Sequence, residues 1–237
     1  MNIKEDLYIK NKKISSEIEL ILENLLKEMP SEVDGKSAIL EMKNNGSSNW
    51  RQMEWIGFWF EFFVQKRLAP KIGGVEGPVY GKTKFDFKRK WVWDLKSHPN
   101  TSDTLILNDK KALTQCIRDS LGIGFIVITG EVTLDDSNNS FKNWHDELKG
   151  GKSNYEIERI RRKAPSRKRK VKFFPKELIS FWLGSNVDVE NGLKEGWLSH
   201  FQENMRNSNG NPRLIKLSVK LSKIPIRNIL LKKTISV

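Results

Sequence analysis

The spacing of apolar residues changes several times along the chain, and each change predicts an element. From Ile14, apolar residues at Ile18, Leu20, Ile21, Leu25 and Leu26 keep a helical period within residues 3–28, and Met29-Pro30 ends the helix. Residues 32–45 read as a short helix and a loop. NNGSSN breaks the chain, with Ser47, Ser48 or Asn49 as the cap of the next helix. WRQMEWIGFWFEFFVQKRLAP, running to Pro70, reads as that helix, aromatic on nearly every side and therefore buried. After a glycine-rich segment come two strands. Lys84, Asp86 and Lys88 alternate with Phe85 and Phe87, and Trp91, Trp93 and Leu95 alternate with Val92, Asp94 and Lys96. Residues 109–121 read as a helix with Gly122 as C-cap. GFIVITG, residues 124–130, is an unbroken apolar β-branched run, the mark of a central strand buried on both faces.

Beyond Glu131 the pattern predicts a loop at TLDDSNNS, a short helix at FKNWHDELK, helices at FPKELISFWLG and VENGLKEGWLSHFQENM, and a strand or hairpin at RLIKLSVKLSKIPI. Together these elements predict an α/β fold: a mixed central β-sheet flanked by helices. Its core covers about residues 49–130, with an N-terminal helical extension (1–45) and a C-terminal mixed region (131–237), in one domain.

Composition narrows the function. The single cysteine, Cys116, permits no intrachain disulfide and reads as a core-facing helix residue. One cysteine and three histidines exclude a zinc ribbon or finger. No apolar run approaches the roughly 20 residues that span a bilayer, and the N-terminus has no apolar stretch before a cleavage site. A cytoplasmic protein of a prokaryotic cell is expected, without a membrane partner.

The net charge of +13 is segregated. Residues 1–150 are balanced, whereas residues 151–176 carry +9 and residues 201–237 carry +7. Such a distribution fits a polyanion, nucleic acid before membrane. The densest run is RIRRKAPSRKRKVK, residues 159–172, without one acid. It repels itself, so it is expected to be a mobile loop or arm. Arg159, Arg161, Arg162, Lys163, Arg167, Lys168, Arg169, Lys170 and Lys172 would then lie along DNA phosphates. Its other readings are a solvated loop or, in a host with a nucleus, a localisation signal.

The candidate chemistry lies on the two strands. Asp94 and Lys96 share a face. If the strands pair in register, Asp86 stands beside Asp94, and two carboxylates there repel unless a cation separates them. Hard oxygen ligands suit Mg²⁺ or Mn²⁺, and Lys96 could orient a metal-bound water or stabilise developing charge. The strand connection decides whether this works. A two-residue Arg89-Lys90 turn pairs Asp86 with Trp93, on the wrong face. An odd-numbered loop such as 88–90, or a bulge, would set Asp86 opposite Val92 and beside Asp94. On the preceding helix Glu54 and Glu61, almost two turns apart, lie on one stripe and would add to the cluster. The other reading of that stripe is a solvated face.

Asp86, a gap of seven residues and Asp94-Leu95-Lys96 resemble the motif of the PD-(D/E)XK nuclease superfamily. GFWFE, with Gly57 four residues before Glu61, is similar to the acidic first helix of many members. Phe85 stands where the motif has proline. The resemblance covers about residues 49–130 and implies a restriction-endonuclease-like core. It implies that Asp86, Asp94 and the Leu95 carbonyl bind Mg²⁺ (or Mn²⁺), that Lys96 positions or activates the attacking water, and that Glu61, or else Glu54, completes a second metal position. The reaction would be in-line phosphodiester hydrolysis leaving a 5′-phosphate and a 3′-hydroxyl. A small free-standing basic chain without a P-loop resembles a type II restriction endonuclease, acting as a homodimer on double-stranded DNA at a short specific sequence. A structure-specific repair or junction-resolving nuclease, a nucleic-acid-binding protein without catalysis and an RNA-processing or structural ribonucleoprotein role are the alternatives. Asn143-Trp144-His145 lacks the second histidine an HNH nuclease needs.

Overall fold

The computed structural model describes residues 3–77, 85–207 and 210–235. Lys84, expected to begin the first strand, lies outside them. In chain order the elements are α1 (Ile3–Glu28), β1 (Val33–Asp34), α2 (Gly35–Asn44), α3 (Trp55–Phe63), α4 (Ala69–Ile72), β2 (Val75–Glu76), β3 (Phe87–Lys88), β4 (Val92–Pro99), β5 (Thr104–Asp109), α5 (Lys110–Ser120), β6 (Ile123–Leu134), α6 (Ser140–Leu148), α7 (Asn154–Arg161), β7 (Lys170–Leu183), α8 (Asn186–Glu195), β8 (Leu198–Phe201), β9 (Lys216–Lys220) and β10 (Ile229–Thr234). The architecture is mixed α/β. A seven-stranded mixed sheet runs β1-β7-β6-β4-β3-β2, with β10 also pairing β7, and a small antiparallel sheet runs β5-β9-β8.

Strands β4 and β6 are parallel, with Asp94 beside Phe125 and Lys96 beside Val127; β3–β4 and β6–β7 are antiparallel. β6 is buried from Ile123 through Gly130, as its apolar run requires. A Cβ on Gly124 would lie 2.2 Å from the Trp93 ring, so only glycine lets that indole cross the neighbouring strand. The sheet separates two apolar cores. Ile14, Ile18, Ile21, Leu22 and Leu25 of α1, with the aromatic side chains of α3, pack with Trp93 and Leu95. On the other side Leu113 and Ile117 of α5, Val189 of α8 and Leu217 and Val219 of β9 pack with Val92, Phe125 and Val127.

Several expectations are corrected. The aromatic helix is not continuous from residue 50 to 70. Ser48–Arg51 is a 3₁₀ turn capped by Ser47, α3 begins only at Trp55, and Val64–Leu68 is a π turn. The early turn is held from outside the segment. His145 Nε2 donates to the Trp50 carbonyl at 2.9 Å and Arg51 Nη1 to the Lys149 carbonyl at 3.2 Å. FPKELISFWLG lies in strand β7, buried between β6 on one side and β1 and β10 on the other. Pro175 is tolerated because the ladder skips a residue there: Thr129 pairs with Glu177 and Gly130 with Pro175. Gly196, at φ 78°, ends α8, so Leu198–Phe201 is a strand and not the continuing helix that the apolar spacing predicts. Helix α5 is capped by Leu121 in the left-handed conformation, with Gly122 after it. The central sheet also draws β1, β7 and β10 from outside residues 49–130.

Candidate active site

The β3–β4 connection has an odd number of residues. Phe87 pairs with Trp93 and Lys88 with Val92, leaving the three-residue loop Arg89–Trp91. The loop is centred on Lys90, not Arg89, so Asp86 comes to Asp94 itself and not opposite Val92. Trp93 and Leu95 face the α1–α3 core, which leaves Asp94 and Lys96 on the other face. At Asp86 the ladder becomes irregular. Its N–H donates to the Trp93 carbonyl at 3.0 Å, and its Oδ2 accepts the Leu95 N–H at 2.8 Å.

Lys96 forms an ion pair with Asp94, which is 1% exposed. Glu61 of α3 joins the same field from the helix that packs on β4. Fully ionised, the cluster would hold three negative charges against one positive. Burial, with Asp94 adding repulsion against the pull of Lys96, raises the Glu61 carboxyl to about 7. Burial and then the neighbouring Asp94 push Asp86 well above the usual carboxylate range. Burial works against the charge of Lys96, yet Asp94, Asp86 and Glu61 outweigh it and hold the ammonium more firmly protonated than usual. The Leu95 carbonyl belongs to the β4 backbone between the two motif residues.

Two residues of this site carry no signal in sequence. Asn108, at the end of β5, accepts from Lys96 Nζ at 2.9 Å and donates to Asp94 Oδ2. Gln65, in the π turn after α3, donates to the Asp86 carbonyl at 3.2 Å. Both act across the fold, so neither belongs to a local motif.

Glu54 does not share a helical stripe with Glu61. It precedes α3, is exposed, and pairs with Lys170 Nζ at 2.6 Å. Both acids nevertheless line one groove of about 430 Å³, together with Gly57, Lys96, His98, Arg167 and Lys170. Ser102 Oγ lies 3.2 Å from His98 Nε2, but that nitrogen must donate to the Ser102 carbonyl at 2.8 Å, so the pair is no nucleophile and base.

The basic stretch is not one free arm. Arg159 and Arg161 lie on α7, where they pair with Glu156 at 2.7 Å and Glu158 at 2.8 Å, and Arg162 also approaches Glu158 at 3.5 Å. Lys172 of β7 pairs with Glu32 at 2.6 Å. Arg169 is buried near Asp146 and Glu156. Lys163, Arg167 and Lys168 are exposed between helix and strand, and Arg167 reaches the groove. Arg159, Arg161 and Arg162 find their acids within one helical turn, whereas the pairs of Lys170 with Glu54 and Lys172 with Glu32 are tertiary effects that the run of like charges could not reveal. Cys116 is buried, as expected, and His145 is a buried structural residue.

Among the described residues, no group of three or more His, Cys, Asp or Glu side chains converges as a metal cage. The donor chemistry still fits a divalent cation. Glu61, Asp86 and Asp94 are hard oxygen donors, and the raised carboxyls of Glu61 and Asp86 reflect a site with one counter-charge for three acids. No family model matches the chain, and no curated protein or solved structure matches it either. No helix among the described residues is long and apolar enough to cross a membrane.

Proposed function

We propose that the protein is a Mg²⁺-dependent endonuclease that hydrolyses phosphodiester bonds of double-stranded DNA, in the manner of a type II restriction endonuclease of the PD-(D/E)XK superfamily. The observation that carries this reading is the gathering of Glu61, Asp86, Asp94 and Lys96 in one electrostatic cluster, of which Glu61 and Lys96 line a groove that Arg167 and Lys170 also line. A protein that only bound nucleic acid would gain nothing from three acids around one lysine, Asp94 buried and Glu61 and Asp86 partly so, which cost stability and repel phosphate.

Asp86, Asp94, the Leu95 carbonyl and Glu61 are the residues that would hold Mg²⁺ or Mn²⁺. The metal, when bound, supplies Lewis-acid activation of water and neutralises charge on the phosphoryl oxygens. Lys96, held cationic by three carboxylates, serves as a donor that orients the nucleophile and stabilises developing negative charge, not as a base. Asn108 fixes Lys96 and Asp94 relative to each other. Gln65 ties the Asp86 backbone to the turn after Glu61. Lys163, Arg167 and Lys168 supply exposed cations for the phosphate backbone. Two-fold DNA sites are matched by two-fold proteins, so a homodimer accompanies this reading.

The test is plasmid DNA incubated with the protein in Mg²⁺ and in EDTA. Discrete metal-dependent fragments are expected. Nicking confined to branched DNA would make the protein a junction-resolving nuclease. A gel shift without cleavage would leave only the binding function.

A further inference from the structure

The loop between β3 and β4 decides which face of the sheet Asp86 joins. A two-residue loop would shift the pairing by one residue and turn Asp86 away from Asp94 and Lys96. Short hairpin loops are normally specified by Asn-Gly, Asp-Gly or another glycine pair. Arg89-Lys90-Trp91 contains neither glycine nor asparagine. Its length is therefore not encoded locally.

The loop closes on a carboxylate from the far end of the sequence. Glu17 of α1 accepts the Lys90 N–H on Oε2 at 3.0 Å, and the Trp91 N–H and Trp93 Nε1–H on Oε1 at 3.1 and 2.9 Å. Arg89 Nη1 lies 3.6 Å from Oε2. Successive backbone N–H groups form a concave anion seat, and here Glu17 fills it. Three donors and a guanidinium make its burial tolerable, with the side chain 1% exposed. Glu17 lies on the buried stripe of α1 between Ile14 and Ile21, so the carboxylate is anchored in the main core. Arg89 is fixed a second time, by Nε donating to the Ile72 carbonyl at 2.8 Å.

We propose that Glu17 is a positioning residue whose buried carboxylate holds the 89–91 loop at three residues and so sets the register that puts Asp86 beside Asp94 and Lys96. The consequence for catalysis rests on the nuclease reading above; the register does not. An acid that merely stabilised the fold would lower the melting temperature on removal without moving the pairing.

The experiment uses the full chain with Glu17→Gln and Glu17→Ala. Glu17→Gln keeps shape and one acceptor oxygen but aims an amide N–H at Lys90, whereas Glu17→Ala empties the seat. NMR reads amide exchange at Lys90 and Trp91 and the cross-strand Phe87–Trp93 contacts. Mn²⁺ relaxation enhancement reads metal affinity, and single-turnover kinetics read cleavage. In Glu17→Ala the two amides should exchange about tenfold faster, from the loss of hydrogen bonds to a charged group. The Phe87–Trp93 contacts should weaken, and Mn²⁺ affinity and cleavage rate should each fall about 10- to 100-fold at unchanged DNA affinity. Formate, small enough for the vacated seat, should restore the contacts and the rate in Glu17→Ala and leave the wild type unaffected. Glu17→Gln should be intermediate, and it carries the comparison if Glu17→Ala does not fold. A folded variant with unchanged Phe87–Trp93 contacts and amide exchange would overturn the proposal. A wild type that neither bound Mn²⁺ nor cut DNA would overturn the nuclease reading instead, and the NMR measurements would still decide the role of Glu17.

Discussion

Glu61→Gln should make the metal-free protein more stable while removing its activity. Burial raises the Glu61 carboxyl from its ordinary 4.5 to about 7. The folded state therefore holds this proton more tightly than the unfolded chain. That contribution is fully present below pH 4.5 and is lost as pH rises through about 7. At roughly 1.4 kcal/mol per pH unit between those values, ionised Glu61 costs at most about 3 kcal/mol above pH 7. Glutamine keeps the shape without the charge, so at pH 8 the variant should be more stable by up to about 3 kcal/mol, or about 6–12 °C in melting temperature. Near pH 4.5 the two proteins should be nearly equal. Urea unfolding in EDTA at the two pH values measures this directly. Added Mg²⁺ should then stabilise the wild type at pH 8 and do much less for the variant, because the cation relieves the same repulsion. A variant no more stable than wild type at pH 8, or a difference independent of pH, would refute the placement of Glu61 in a charge-frustrated cluster.

Asp86→Ala, Asp94→Ala and Lys96→Ala should each abolish cleavage in single-turnover assays and leave gel-shift affinity for DNA intact. Glu61→Ala should cost more activity than Glu54→Ala, since Glu54 is exposed and pairs with Lys170. Replacing Lys163, Arg167 and Lys168 together with alanine should flatten the slope of log K against log salt by up to about 2.7 and weaken binding to all sequences alike. Arg169→Ala should act on stability instead, on the order of 3 kcal/mol by urea unfolding, because it removes a buried cation beside Asp146 and Glu156. Hydrogen bonding from Arg159, opposed by burial and supported by Lys142, lowers the Glu156 carboxyl to about 2. Its stabilisation is present above pH 4.5 and lost as pH falls through about 2, so an acid titration of Glu156→Gln should lack that loss.

The strand alternation through Trp93, Asp94, Leu95 and Lys96 is a period of two, so residue order alone places Asp94 and Lys96 on one face. The β-branched run at 124–130 reveals a fully buried strand by its lack of polar positions. The apolar spacing of α1 is local as well, whereas at the end of α5 Leu121 and not the expected Gly122 takes the left-handed cap. Register is not local. Asp86 meets Asp94 because Glu17, about 70 residues upstream, fills the 89–91 loop. The hidden signal was a single acid on an otherwise apolar helical stripe. Asn108 and Gln65 enter the site from a second sheet and a π turn. Strand β7 reads as a helix because a short apolar run fits either period, and only its pairing with β6 and β10 selects extended backbone. Charge at the basic stretch divides in the same way. The cations are legible in residue order, and so is Glu156 one helical turn before Arg159, but Glu32 and Glu54 are brought by the segments before β1 and α3, where electrostatic pairing depends on distance in space, not along the chain.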